Sequence, residues 1–233
     1  PLAGAERCHT LPYGLDLSPI EAARADFDRA AARAEAGIAE GAELIVCVGT
    51  IEPRKAQLLL TQAFEAIAAR HPRARLALVG ANEEVDSTTL AEYLAVSPLR
   101  ERIDLIGVTP DVQRWYAMAD LFVCASDVES LPRTVLEAMA WETPVLATAV
   151  YGLPELIADG ESGWLCEPRD LERLVAALDR VLAIPAEERR QVGRAGRALV
   201  EERHSLPRYG EQMGALIERA VAGGGPADVK AAE

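Results

Sequence analysis

The sequence is short of positive charge, short of histidine, and without any apolar run long enough to cross a bilayer. Lysine and arginine number 24 against 37 aspartates and glutamates, a formal charge of −13. That balance argues against a nucleic-acid backbone as the main partner, since such binding rests on cations neutralising phosphates. A broad basic membrane patch is disfavoured on the same ground, although a local basic pocket for phosphate remains open. No stretch reaches transmembrane length. The four cysteines, Cys8, Cys47, Cys124 and Cys166, lack metal-ligand spacing. Three of them sit in apolar strand-like runs, where a free thiol behaves as a small hydrophobe. Neither a disulfide nor a metal site is therefore expected, and a reducing compartment follows. A G-x-G-x-x-G fingerprint is missing too, so a dinucleotide-dependent dehydrogenase does not fit.

Half of the 233 residues are apolar, enough for one large domain or one and a half average ones. Short apolar runs at 44–49, 75–79, 102–106, 120–125, 145–148 and 163–166 suit buried strands. Stretches of helical periodicity fall between them at 56–70, 88–95 and 111–118. Three more follow at 171–182, 185–202 and 206–220. Six strand–helix alternations predict an α/β, Rossmann-like, doubly wound parallel sheet of about six strands. The Ala-rich stretch 21–36 reads as one amphipathic helix ending near Gly37. The expected organisation is a linker-like lead-in over 1–16, one domain over 17–222, and a flexible Gly-rich tail over 223–233.

The chain is organised around residues 126–137, S-D-V-E-S-L-P-R-T-V-L-E. An apolar run precedes them and a helical pattern follows. Glu129 thus lies just beyond a strand's carboxyl end, the edge where open parallel sheets bind ligands. Taken singly, Glu129 reads equally as a loop carboxylate favouring the helix N-terminus, and Glu137 as a polar-face residue. Arg54 and Lys55 follow the first strand, where they either meet an anion at the mouth of the fold or form a solvated pair. Gly107 ends the third strand as a plain turn or as a point of close approach. Gly152 permits a close backbone approach, and Pro154 suits a first helical turn. The loop there would offer unpaired amides to an anion. Glu155 alone is equally a first-turn helix acid.

Beyond Glu137 comes the order A-M-A, T-P-V-L-A-T, G-L-P-E-L-I, D-G-E-S-G-W-L, so that the whole pattern from Ser126 to Leu165 spans about forty residues. With the two acids it resembles the E-x7-E region of retaining, nucleotide-sugar-dependent glycosyltransferases of family 4 (group 1), whose GT-B fold is two facing Rossmann-like domains. The resemblance implies roles. Lys55, in a stretch similar to G-R-[LI]-x-x-x-K-G, would meet the donor diphosphate. Thr50 stands where the arginine of that pattern is expected and Ala56 replaces its glycine, so Arg54 becomes the substitute cation. Glu129 would face the donor sugar's hydroxyls, making it and Lys55 the catalytic candidates, while Glu137 would accept from the ribose hydroxyls. The 130–134 loop (Ser130, Leu131, Pro132, Arg133, Thr134) would present amides to phosphate, although Pro132 has none to donate. Backbone at Val108 would lie near the nucleobase. Gly152 and Glu155 match a G-G-x-x-E pattern whose first glycine is here Tyr151.

Pro12, Gly14, Leu15 and Asp16 resemble the P-x-G-[VI]-D element that closes the linker into the C-terminal domain. Together with Pro1 as first residue, this implies a C-terminal half whose N-terminal acceptor-binding domain is missing, inactive in transfer by itself. The implied partner is a nucleotide diphosphate sugar of unspecified base carrying a hexose-type sugar, with no other cofactor and no metal. The acceptor would be a glycan, lipid or small molecule. A cytoplasmic location is expected, with peripheral membrane attachment of the full-length protein left open. Two rival readings stand beside this one. The first is a non-catalytic nucleotide-sugar binding or interaction domain. The second is a nucleotide-sugar epimerase of similar fold, which would carry further catalytic histidine and acid motifs where this chain has only His9, His71 and His204.

Overall fold

The computed structural model of the chain describes residues 9–81 and 87–222. The expected tail and the first eight residues of the lead-in lie outside them. Six strands form one sheet: β1 (Glu43–Val48), β2 (Ala74–Ala81), β3 (Ile103–Gly107), β4 (Leu121–Cys124), β5 (Val145–Thr148) and β6 (Trp164–Cys166). Their order is β3-β2-β1-β4-β5-β6, and every pairing is parallel. The doubly wound sheet expected from the alternation is therefore present.

Burial on both faces explains why these strands read as continuous apolar runs. In β1, Leu44 and Val46 enter one core with Phe122, Tyr116 and Met139. Ile45 and Cys47 enter the other with Leu121, Phe64 and Leu178. Helices cover both sides. α3 (Gln57–Ile67) packs against α8 (Leu171–Ala183), while α6 (Arg133–Ala140) packs against α9 (Ala186–Arg203). α5 (Val112–Met118) touches both α6 and α2 (Arg29–Glu35). Also present are α1 (Ser18–Ala25), α4 (Ser87–Val96), the single turn α7 (Leu153–Leu156) and α10 (Leu206–Val221). No helix among the described residues is long and apolar enough to cross a membrane.

The stretch 21–36 is two helices, α1 and α2, instead of one. Asp28 causes the break: it is extended (φ −86°, ψ 95°) and its side chain accepts from the Ala31 amide. A carboxylate in that role starts a helix instead of continuing one. α2 is then fixed to the amino edge of the sheet. Asp120, just before β4, accepts from Arg29 (2.7 Å), Arg33 (2.9 Å) and the Leu44 amide (2.8 Å). Burial pushes the Asp120 carboxyl up, but these donors outweigh it and the net shift is downward.

The lead-in is tied to the far end of the chain. Leu15 donates its amide to the His204 carbonyl (2.7 Å) and accepts from the Leu206 amide (2.9 Å), bridging the α9–α10 junction. Gly14 is needed at this crossing, because a Cβ there would lie 2.6 Å from Tyr209 Cβ and 3.2 Å from Leu206 Cα. Neither neighbour is the free end of a side chain. Gly14→Ala should therefore destabilise the fold by about 1–3 kcal/mol through overpacking. Gly210→Ala, facing open space on α10, should be neutral or stabilising by up to ~1 kcal/mol. Thermal denaturation of the two variants checks this, and equal losses would contradict it.

Candidate functional site

Strand order reverses between β1 and β4, so the loops leaving their carboxyl ends diverge and open a crevice. Three loops meet there, held by backbone groups. The Asp127 amide donates to the Arg54 carbonyl (2.7 Å) and the Gly152 amide to the Ser130 carbonyl (3.0 Å). Thr148 Oγ1 donates to the Ser126 carbonyl (2.5 Å), and Gln57 Nε2 to the Thr50 carbonyl (2.9 Å). The segments after β1, β4 and β5 are thereby fixed to one another before any side chain is considered.

Lys55 and Glu129 form an ion pair across the crevice, 74 residues apart in sequence. Their side chains are only 16% and 9% exposed. Arg54 Nη1 stands 3.9 Å from the same Glu129 oxygen, while its Nη2 is held by Glu52 at 2.5 Å. A carboxylate so buried cannot be left without a partner at small cost. Anything that draws Lys55 away must therefore bring donors for Glu129, and a phosphate carrying a hydroxylated group supplies both needs at once. Cys47 and Cys124, on the strands beneath, do not compete as nucleophiles. Burial pushes the Cys47 thiol up to about 12 and raises Cys124 as well, so neither forms the reactive thiolate at neutral pH.

Glu137 lies one helix turn beyond Arg133 and is buried by its neighbours on α6, of which Val135, Leu136, Ala138, Met139 and Ala140 are all buried. Its two oxygens have different partners. Tyr116, fully buried on α5, donates its hydroxyl to Oε2 at 2.9 Å. Arg133 donates Nε to Oε1 at 2.7 Å, from a side chain that is 65% exposed. Burial, then the Glu137 charge and hydrogen bond, push the Tyr116 phenol well above its ordinary range. It therefore remains a donor throughout the neutral range. The Glu137 hydrogen bond and charge raise Arg133 likewise.

The other sequence-derived candidates lie around these two centres. Arg133 and Thr134 open α6 ahead of its first intrahelical bond, from the Val135 amide to the Pro132 carbonyl (3.1 Å). Pro132 caps it with no side-chain acceptor. Thr50 and Ser130 are exposed and Leu131 half-buried. Ala56 and Tyr151 stand where glycines were expected, and both keep a left-handed backbone, φ 54° and 47°. The conformation that favours glycine is retained without the residue, at about 1–2 kcal/mol each. Glu155 is exposed on the single turn α7. Val108 follows β3, two strands along the edge from β1, with its amide on the Ala81 carbonyl (3.1 Å).

Tyr116, Gln57 and Asp127 were not singled out as site residues by sequence reasoning. The available signal for Tyr116 was a lone hydroxyl on a helix that otherwise packs. Among the described residues no group of three or more His, Cys, Asp or Glu could hold a metal ion. A cavity of about 740 Å³ lies at the opposite, amino edge of the sheet. Its Arg29, Arg33 and Arg189 are committed to Asp120 and Glu43, which makes it a joint between elements.

Residues 28–199 match the family model described as glycosyl transferases group 1. The chain is 32% identical to the D-inositol 3-phosphate glycosyltransferase of Segniliparus rotundus, over 98% of this chain and 51% of that protein. It is 34% identical to the enzyme of the same name from Geodermatophilus obscurus, over 95% and 52%. The chain thus spans about half the length of the curated relatives it matches. Among solved structures it resembles sucrose-phosphate synthase from Thermosynechococcus elongatus, with a TM-score of 0.76 and 26% identity over 92% of this chain and 53% of that one. It also resembles the C-terminal domain of a glycosyl transferase group 1 family protein from Francisella tularensis. There the TM-score is 0.70 and the identity 25%, over 83% of this chain and 100% of that one.

A Cβ at Gly152 would meet the Ser130 carbonyl oxygen at 2.3 Å. Gly152→Ala should therefore cost about 1–3 kcal/mol of stability and separate the β5 loop from the loop carrying Glu129. Chemical denaturation gives the first effect. A variant as stable as the parent would show that the loops are not so closely joined.

Proposed function

The chain belongs to the group 1 glycosyl transferases, and on that premise we propose that it is the donor-binding half of a retaining, nucleotide-sugar-dependent hexosyltransferase. The observation that carries this reading is the Lys55–Glu129 pair at the strand-order reversal. A nucleotide diphosphate sugar brings an anion for Lys55 and, on the sugar attached to it, hydroxyls for Glu129. It can replace each partner of the pair without stranding the other.

Each group then has a task. Lys55 stabilises the negative charge that builds on the leaving diphosphate, a role cations fill without proton transfer. The free amides of Arg133 and Thr134 at the start of α6 add to it. Glu129 orients the sugar by accepting from its hydroxyls. Glu137, fixed on one side by Tyr116, accepts from the ribose hydroxyls. Gly152 brings the β5 loop close to this cluster, with Glu155 behind it, and the backbone at Val108 borders the base. Thr50 contributes its position in the loop after β1, and Arg54 screens the crevice from Glu52. Glycan, lipid or small-molecule acceptors and the wall that orients them are assigned to a second, N-terminal domain. The full-length protein is placed in the cytoplasm. Positioning two reactants is worth several kcal/mol, about 7–11 at the extreme, so residues 1–233 alone should bind donor without transferring sugar.

Calorimetric titration of the chain with UDP, GDP and ADP tests the reading. One of these should bind with micromolar to millimolar affinity, about −8 to −4 kcal/mol. Lys55→Ala should weaken that diphosphate by about 1.5–3 kcal/mol, the range of a charge-assisted bond, and leave the nucleoside unchanged. Glu129→Gln should leave the free diphosphate intact or improve it, since Lys55 loses its competitor, while weakening the sugar-bearing donor. A Lys55→Ala loss no larger than that of Arg190→Ala on the surface of α9 would remove the assignment. Steady sugar transfer by the chain alone would overturn the two-wall account. A non-catalytic nucleotide-sugar binding domain would show the same binding pattern, yet no transfer even when joined to an acceptor-binding domain.

A further inference from the structure

A diphosphate carries more charge than Lys55 can meet alone, and the neighbouring cations are not equally free to help. Arg54 is held by Glu52 at 2.5 Å and by the Val128 carbonyl at 3.5 Å. Arg169 is paired with Asp127 at 3.2 Å and lines a cavity of about 380 Å³ with Ile51, Leu58 and Leu59, on α3's side of the 50–56 loop. Arg133 is differently placed. It occupies the first position of α6, where the unpaired amides are, four residues after Glu129. Its contact with an acid is the one to Glu137 Oε1, an i,i+4 pair between an exposed guanidinium and a buried carboxylate, of a kind that contributes little to a helix's stability.

The two partners of Glu137 are also unequal. Tyr116 is fully buried and holds Oε2 from the core side. Arg133 comes from the solvent side, so Oε1 is the oxygen a ligand can reach. With the guanidinium in place the Glu137 side chain is only 8% exposed, so a hydroxyl that reaches Oε1 from the solvent side pushes the guanidinium off and frees it beside the phosphate.

We propose that Arg133 is an exchanging cation, covering Glu137 Oε1 in the empty site and turning to the donor diphosphate beside Lys55 when ribose hydroxyls take that oxygen. The inference rests on the donor-binding reading above. It makes Arg133 a ligand-touching residue whose two states favour opposite things: covering Glu137 opposes ribose, and reaching phosphate favours the diphosphate.

That opposition is measurable. The whole 233-residue chain and its Arg133→Gln variant are titrated with whichever of UDP, GDP or ADP binds the parent best, and with the matching nucleoside by ligand-observed NMR. Arg133→Gln should weaken the diphosphate about tenfold, as the loss of one charge-assisted bond implies, and strengthen the nucleoside about two- to threefold, as removal of a competing i,i+4 pair implies. The thermal midpoint should stay where it was. Changes of the same sign and size for both ligands, or none for either, would overturn the exchange. So would a tenfold diphosphate loss in Arg169→Gln with none in Arg133→Gln. The underlying reading fails separately. If Lys55→Ala leaves the diphosphate unaffected, or Glu137→Gln leaves the nucleoside unaffected, the site assignment itself is wrong and the exchange falls with it.

Discussion

Lys55 and Glu129 meet only because β4 lies beside β1, with the intervening β2 and β3 folded out to the other side. This single ion pair depends on the whole topology, and the chemistry of the crevice depends on it in turn. At 16% and 9% exposure its members are largely withdrawn from water. Removing one partner of such a pair typically costs about 3–5 kcal/mol, because the other is left desolvated and alone. The pair therefore selects its own replacement: an anion for the lysine together with donors for the carboxylate. A free phosphate satisfies half of that requirement and a neutral sugar the other half.

The surrounding frame has to be stiff for the selection to work. Backbone hydrogen bonds join the β1, β4 and β5 loops to each other, from Asp127 to Arg54 and from Gly152 to Ser130. Ala56 and Tyr151 hold left-handed backbone next to that frame, a cost of the kind that persists where surrounding structure over-determines the conformation. Glu137 is held in the same spirit, by a phenol that burial and the neighbouring carboxylate keep protonated. On the opposite edge Asp120 performs a purely structural task with two arginines and a backbone amide. The contrast separates the two ends of the sheet. At the amino edge the charges join elements, and at the carboxyl edge the Lys55–Glu129 pair stands in the crevice where the strand order reverses.

Much of this could be read from residues alone. Strands buried on both faces leave unbroken apolar runs, which is why β1, β2 and β4 were legible. Acids and cations just beyond strand ends pointed to the ligand edge. The split of 21–36 was missed because alanine content outweighed Asp28, whose capping bond depends on one backbone angle. The contact of Lys55 with Glu129 was out of reach for a different reason. Nothing local links residues 74 positions apart until the strand order is known. Tyr116 was overlooked because a tyrosine at a packing position gives no sign of where its hydroxyl points.

The central claim is that the Lys55–Glu129 pair opens to receive a nucleotide diphosphate sugar. A crystal structure of the chain with such a donor, or with the nucleoside diphosphate that binds it best, tests this most directly. The account predicts the diphosphate at the crevice between the β1 and β4 loops, with Lys55 Nζ on a phosphate oxygen and, in the donor complex, Glu129 turned to the sugar. A nucleotide bound elsewhere, with Lys55 still paired to Glu129, would contradict it.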